Sequence, residues 1–532
     1  MVQNGERVYR RRWWILAVLC LSLLIIVLDN SILNVALPTL VEDLHASTSE
    51  LQWIVDAYTL VFAGLLLAAG SLSDRFGRKK GLATGMVIFG AGSLLSSVAG
   101  SAGHLIATRA VMGTGAAFIM PSTLSILTNV FPSEERGRAI GIWAAMAGVG
   151  VPLGPILGGV LLDNFSWGAI FLVNVPIVVF ALATGYFLLP ESSTPEASPL
   201  DPIGVVLSIG GLVSLIYATI EAPTHGWTST ETLGMYALAA VLLASFVVWE
   251  LRNRRPMIDL GLFRNPRFSS ASLAIALVFF ALFGSFFILT QYLQNVLGYT
   301  PLEAGVRLVP VAIGISVFAP LSSRIAEKIG AKIPVAFGLA MAAGGLAVLS
   351  QAGVDSSYGL VLGALLLFSS GMGLAMTPAT DSIMGAVPVG NAGIGAAVND
   401  TTRQVGGAFG VAVLGSVLST SYRSDVAPSL QGLPPQVSEA ASQSIGAAME
   451  IADRLGGPGG EALRGAAAQA FVNGMQESFL IAAGVALVSS ALALLLLPAF
   501  AREHPESKSA GPAAARPRLG GSHLRPVSHT RH

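Results

Sequence analysis

The sequence predicts an all-α integral membrane protein with two six-helix halves and two extra central transmembrane helices between them, fourteen spans in all. Three observations carry that prediction. Of 532 residues, 53% are apolar and 11% charged, against about 25% charged in a usual soluble domain, and the mean hydropathy is +0.69. Apolar runs of span length recur along the chain in a six, two, six grouping. A segment also repeats: GSLSDRFGRKK at 70–80 and PLSSRIAEKIGAK at 320–332 each follow the second span of a six-span set.

Taken in order, residues 1–13 form a cytoplasmic arm. Its Arg7, Arg10, Arg11 and Arg12 lead into an apolar run without a small-residue cleavage site, which reads as a first span and not as a removed leader. The N-terminal half covers 14–190, with spans near 14–37, 51–72, 81–102, 104–129, 138–162 and 169–190. A polar, proline-containing linker follows at 191–202. Two inserted spans, near 203–221 and 233–251, occupy 203–251, and a basic cytoplasmic connector runs over 252–269. The C-terminal half is 270–499, with spans near 270–296, 302–322, 333–351, 358–385, 393–419 and 476–499. Its long loop, 420–475, is rich in Ala, Gly, Ser and Gln, with a surface helix expected over 436–455. Residues 500–532 are rich in Pro, Arg, Ser and Gly and are expected to be a disordered tail. The arm, the connector, the tail and alternate short loops hold 24 of the 30 basic residues, whereas the loops near 42–50, 101–104 and 163–166 hold none. Positive charge stays inside, so both termini are expected in the cytoplasm and the 420–475 loop outside.

In GVGVPLGPILGGVL (148–161), Gly150, Gly154 and Gly158 share one helical stripe that lets another helix approach closely, while Pro152 and Pro155 each remove a backbone donor. Ionisable groups at membrane depth cost at least about 2.5 kcal/mol on insertion scales, so each is a functional candidate. Asp29 lies about 22 Å into its span, at about 1.5 Å per residue, and Asp56 and Arg109 enter from the opposite side to the same layer. Two carboxylates and a guanidinium there make a proton-sensitive set, because burial disfavours an ionised carboxyl and a nearby arginine favours it. The competing reading is an ion pair that only locks helices together. Asp381 is placed near a span end, where a helix-terminal role is equally open. Asn399, Asp400 and Arg403, in NDTTRQVGG, project from a span near its cytoplasmic end, and an i, i+3 pair between Asp400 and Arg403 is the simpler account. The single cysteine, Cys20, excludes an internal disulfide, and the seven histidines fall near predicted loops, helix ends or the tail. There is no GxxxxGK[ST], HExxH, CxxC or GxSxG, so no ATP-binding loop, metal motif or hydrolase nucleophile is on offer. No cofactor and no enzymatic activity is expected, and if the protein does work across the membrane the energy should come from an ion gradient.

LDNSILNVALP (28–38), GSLSDRFGRKK (70–80), LIATRAVMGTGAA (105–117) and GVGVPLGPILGGVL (148–161) resemble, in order and spacing, the signature motifs of the major facilitator superfamily. More narrowly, the chain is similar to its fourteen-span drug:proton antiporters. That resemblance implies roles by position. Asp74, Arg75, Gly77, Arg78 and Lys79 match the cytoplasmic charged loop that stabilises the outward-facing state. Asp29 matches the first-span acid and Arg109 the fourth-span arginine of proton coupling. Gly148, Gly154, Pro155, Gly158 and Gly159 match the motif of antiporters. QWIVDAYTL (52–60) looks like the branch that exports quaternary ammonium and other lipophilic cations, whereas SWGAIFLVNVP (166–176) departs, with Gly168 and Ala169 where many relatives carry arginine and tryptophan. The implied partners are a small amphipathic substrate, protons and the bilayer, with neither ATP nor nucleic acid, and the implied state is a monomer. The 25 arginines against 5 lysines suggest a GC-rich bacterial genome. Three alternatives stand beside this reading: a dedicated exporter of one host-made antibiotic, a non-transporting receptor or scaffold, and a nutrient importer, the last disfavoured by the glycine and proline pattern.

Overall fold

The computed structural model describes residues 2–44, 48–193, 201–253, 256, 258–388 and 391–498. The tail expected over 500–532, the middle of the linker at 194–200 and residues 254, 255 and 257 of the connector lie outside the described residues. Within them the secondary structure is helical, without a strand.

The N-terminal half contains α1 (Val2–Leu44), α2 (Thr48–Phe76), α3 (Arg78–Ser97), α4 (Ala102–Val130) and α5 (Ser133–Asn164), followed by α6 (Ala169–Leu172) and α7 (Asn174–Leu188), which share the sixth predicted span. The inserted pair is α8 (Pro202–His225) and α9 (Thr230–Arg252). The C-terminal half contains α10 (Pro266–Gln291), α11 (Pro301–Arg307), α12 (Val309–Ile329), α13 (Lys332–Leu349), α14 (Tyr358–Ala386), α15 (Ala392–Val426), α16 (Pro435–Gln443), α17 (Ile445–Leu455) and α18 (Gly457–Leu496). Thirteen helical segments among the described residues are long and apolar enough to cross a membrane. At the predicted third span lies the helix α3, packed on α2 and α4, but it is not among those thirteen, and Arg78, Lys79 and Lys80 and four glycines dilute its apolar character.

Helix starts obey local chemistry. Asp201 accepts from Gly204 N to begin α8, with Pro202 in the first turn, and Ser229 and Asn265 do the same for α9 and α10. Thr300 and Glu303 form a reciprocal capping box at α11, so orphan donors at these ends are satisfied. The repeated segments turn alike: the chain leaves α2 through Gly77 (φ 117°) and α12 through Gly330 (φ 83°), a region costly for residues with a Cβ.

Residues 420–475 are folded, contrary to the expectation of a loop carrying one surface helix. α15 continues to Val426, α16 and α17 follow, and α18 begins at Gly457. Ala441, Ile445, Ala448 and Ala452 are buried in the same apolar core as Ala467 and Phe471 of α18, and Tyr422 Oη donates to Ala441 O (2.9 Å). This helical cap continues the C-terminal half at the end of the bundle away from residues 73–80.

The glycine stripe does what its spacing predicts. A Cβ on Gly150 would meet Val27 of α1 at 2.7 Å, one on Gly154 would lie 2.6 Å from the Ser31 carbonyl carbon, and one on Gly158 would meet Ile32 at 3.0 Å. The other face of α5 crosses to the second half, with Gly148 against Ile315 of α12, Gly159 near Leu302 and Pro155 against Gly305 of α11. α5 thereby touches both halves, and its helix runs continuously through Pro152 and Pro155. Arg12 of α1 reinforces the α1–α5 contact with a two-pronged bond to Glu135 (2.6 and 3.0 Å).

Gly154→Val is expected to destabilise the detergent-purified protein by about 1–3 kcal/mol, the cost of overpacking. Gly159→Ala, whose new Cβ finds its nearest neighbour, Leu302, at 3.8 Å, is expected to leave the thermal midpoint within error. Fluorescence-detected size exclusion after heating compares the two.

Candidate functional site

α1, α2, α3, α4 and α7 meet at one buried charge pair. Asp29 and Arg109 are fully buried, and Arg109 Nη1 donates to Asp29 Oδ2. The second carboxylate oxygen accepts from Asn174 Nδ2 (2.8 Å). Asn174 Nδ2 also donates to Ser93 Oγ (3.1 Å), which donates in turn to Phe171 O (2.8 Å). On the arginine side, Nε donates to Ile54 O (3.2 Å) and Nη2 to Asn30 Oδ1 (3.4 Å), and the guanidinium carbon lies 4.3 Å from the centre of the Tyr58 ring. Both members of the pair therefore have several partners, as a charge in a low-dielectric interior requires. Sequence reasoning missed Asn174 and Ser93. The available signal was polar side chains inside FLVNVP and GAGSLL, but an uncharged polar residue carries no insertion cost large enough to stand out.

Asp56 is level with this pair on a different face of α2. It is two residues from both Ile54 and Tyr58, hence about 200° round the helix, and one turn from Trp53. The Trp53 ring stacks on Tyr217 of the inserted helix α8 (6.0 Å). Asp56 is half-buried. The structure thus assembles Asp29 with Arg109 and sets Asp56 on another face of α2.

The 73–80 segment joins the halves. Asp74 is buried and accepts from Gly393 N (3.0 Å) and Ile394 N (3.1 Å) in the first turn of α15. The nominal N-cap of α15, Asn391, makes no side-chain cap bond, so Asp74 caps a helix of the other half, where helix dipole and free N–H groups favour an anion. Arg78 Nε donates to Asp74 Oδ1 (2.8 Å) and balances the charge. A Cβ at Gly393 would lie 2.6 Å from the carboxylate, and one at Gly70 would lie 2.6 Å from Gly393 O. Lys79 Nζ donates to Tyr186 O at the end of α7 (2.7 Å), and Arg75 is half-buried with its guanidinium 5.6 Å from the Phe76 ring centre. Gly168, one of the departures from the family pattern, packs on the Ser97 backbone at the end of α3, where a Cβ would collide.

The C-terminal half has its own buried charges. Asn399, Asp400 and Arg403 of α15 are all buried. Arg403 Nη1 is 3.8 Å from Asp400 Oδ1, and Arg403 Nη2 donates to Thr380 Oγ1 of α14 (3.0 Å). The local pair exists, yet the residues reach across the molecule, because Arg403 lies 5.1 Å from the ring centres of both Trp143 of α5 and Phe279 of α10. Asp381 of α14 lies in the electrostatic field of Arg267 and of Arg136 on α5.

Comparison with known proteins bears on the family and the fold. The family profile described as Major Facilitator Superfamily matches residues 19–411. The chain is 37% identical to the multidrug efflux pump LfrA of Mycolicibacterium smegmatis, over 92% of this chain and 97% of that protein. It is 33% identical to the tetracenomycin C resistance and export protein of Streptomyces glaucescens, over 95% of each. Among solved structures, the human organic anion transporter MFSD10 superposes with a TM-score of 0.59 at 15% identity, covering 91% of this chain and 99% of that one.

Two outcomes follow from the contacts. Arg109→Leu leaves Asp29 as an uncompensated buried charge and is expected to cost about 3–5 kcal/mol; adding Asp29→Asn to it is expected to restore part of that loss, as thermal unfolding of single and double variants measures. Asp74→Ala strips the cap from α15, so spin labels at Phe76 and Pro388 are expected to show a longer and broader distance distribution in the variant than in the parent.

Proposed function

The chain belongs to the Major Facilitator Superfamily, and from that premise we propose that it is a drug exporter that exchanges protons entering the cell for an amphipathic, cationic compound leaving it. Drug efflux follows from relatives named as multidrug efflux and antibiotic-resistance proteins across nearly the full chain. The observation that carries the proton coupling is the Asp29–Arg109 pair. Asp29 is a buried carboxylate whose positive partner is a side chain on another helix, and a proton can take the place of that partner.

In the proposed cycle the 73–80 end of the bundle faces the cytoplasm, as the distribution of basic residues supports. The Asp74 cap on α15 holds the halves together there, the contact that the resemblance links to the outward-facing state. A proton reaching Asp29 removes the charge that holds Arg109. The guanidinium is then left with neutral acceptors on α1 and α2, and the helices that met at the pair are free to shift. Proton release to the cytoplasm restores the anion. Asp56, half-buried on another face of α2, supplies negative charge for a cationic ligand, and neighbouring rings such as Trp53 add cation–π attraction. A second reading, a dedicated exporter of one antibiotic, is favoured by the full-length similarity to the tetracenomycin C exporter. Resistance to one compound in a broad panel would select it over the multidrug reading.

Everted vesicles containing the parent protein are expected to accumulate ethidium when a proton gradient is imposed and to lose it when a protonophore is added. Vesicles with Asp29→Asn at equal expression are expected to show no proton-driven accumulation. Undiminished uptake in that variant would remove Asp29 from the coupling.

A further inference from the structure

The cluster at Arg403 is held differently from the one at Arg109. Arg109 bonds a carboxylate, a backbone carbonyl and a side-chain amide. Arg403 makes one side-chain hydrogen bond, to Thr380. Its carboxylate neighbour is at 3.8 Å, beyond hydrogen-bond reach, and its Nε has no partner although buried. The acceptors around it are unsatisfied as well: Asp400 Oδ2 and Asn399 Oδ1 are buried without hydrogen bonds, and Asp400 Oδ1 accepts from Asn399 Nδ2 (3.1 Å). Besides Thr380 and Asp400, two ring faces enclose the guanidinium, those of Trp143 and Phe279, each centred 5.1 Å from it. Two aromatic faces with one carboxylate make the chemistry that recognises an organic cation with diffuse charge.

We propose that Arg403 is a resident stand-in for the substrate: its guanidinium occupies a site for a lipophilic organic cation between Trp143, Phe279 and Asp400, and the arriving cation displaces it. The assignment rests on the reading of the protein as a cation exporter and adds a location and a trigger. Two cations cannot share these rings and one carboxylate, so binding expels the arginine side chain. Trp143 belongs to α5 of the first half, whereas Asp400 and Phe279 belong to the second. Exchange of a tethered cation for a diffusible one therefore changes the bonding between the halves at the moment of loading, which is what a transporter needs to link occupancy to rocking. Arg403 gives up one side-chain hydrogen bond on displacement, whereas Arg109 would give up three.

The test is equilibrium binding of radiolabelled tetraphenylphosphonium to full-length detergent-purified protein, at alkaline pH so that Asp400 stays ionised once its neighbour is removed. Arg403→Gln is expected to bind the probe about tenfold more tightly than the parent, in the range of a desolvated cation–π contact. Arg403→Lys, which keeps a tethered cation, is expected to stay near the parent value, and binding of a neutral naphthylamine dye is expected not to change. Adding Asp400→Asn to Arg403→Gln is expected to cancel the gain. Trp143→Leu gives an independent reading, since loss of the ring weakens tetraphenylphosphonium binding and spares the dye. Parent-like or weaker probe binding by a monodisperse Arg403→Gln, or an unaltered Trp143→Leu, overturns the stand-in and leaves the exporter reading intact. Absence of probe binding in the parent and every variant overturns the cation reading and the stand-in with it.

Discussion

A charge in a membrane interior must be given a partner where it lies, and the partner is on another helix. That constraint organises the N-terminal half. Asp29 on α1 and Arg109 on α4 neutralise each other, and the bonds left over reach α2 through Ile54 O and α7 through Asn174. Ser93 carries the network on to α3. Helices that gain little from the hydrophobic effect, because lipid is as apolar as their own surfaces, are tied instead by polar bonds and close packing.

Backbone demands an equivalent accounting between the halves. α15 begins inside the bundle with N–H groups that its own N-cap does not satisfy, and a carboxylate from α2 supplies the missing acceptor. The contact needs glycine on both sides, since Gly393 admits the carboxylate and Gly70 admits the α15 backbone. α5 follows a parallel logic with its glycine stripe on α1 and its opposite face on α11 and α12. Small residues and helix ends thus recur at the joints between the halves.

Much of this was legible in the sequence because apolar length, glycine spacing and charge in apolar surroundings are local signals. The span layout, the stripe of Gly150, Gly154 and Gly158, and the candidacy of Asp29, Arg109 and Asp74 all come from short windows. What stayed hidden depends on distance along the chain. Asn174 is 145 residues from Asp29, and nothing in FLVNVP marks it as the partner of an acid. Asp56 shares a layer with Arg109 by depth, but depth does not give the azimuth of a helix, and the helix turns it away from Ile54 and Tyr58. The helical cap over 420–475 reads as polar low-complexity sequence because its buried face is alanine, which composition alone does not separate from a loop.

NDTTRQVGG shows the same limit with a functional edge. By spacing, Asp400 and Arg403 are a local i, i+3 pair and need nothing else. In space that pair is a 3.8 Å approach beyond hydrogen-bond reach, and the rings that enclose the arginine come from sequence positions more than a hundred residues away on two other helices. A local pair of good geometry would have argued for a fixed structural role. The slack pair, unsatisfied acceptors and double aromatic enclosure argue instead for a position whose occupant changes. In the proposed cycle Arg109 and Arg403 then divide the work: Arg109 loses its charged partner when a proton reaches Asp29, while Arg403 holds a place that it can leave.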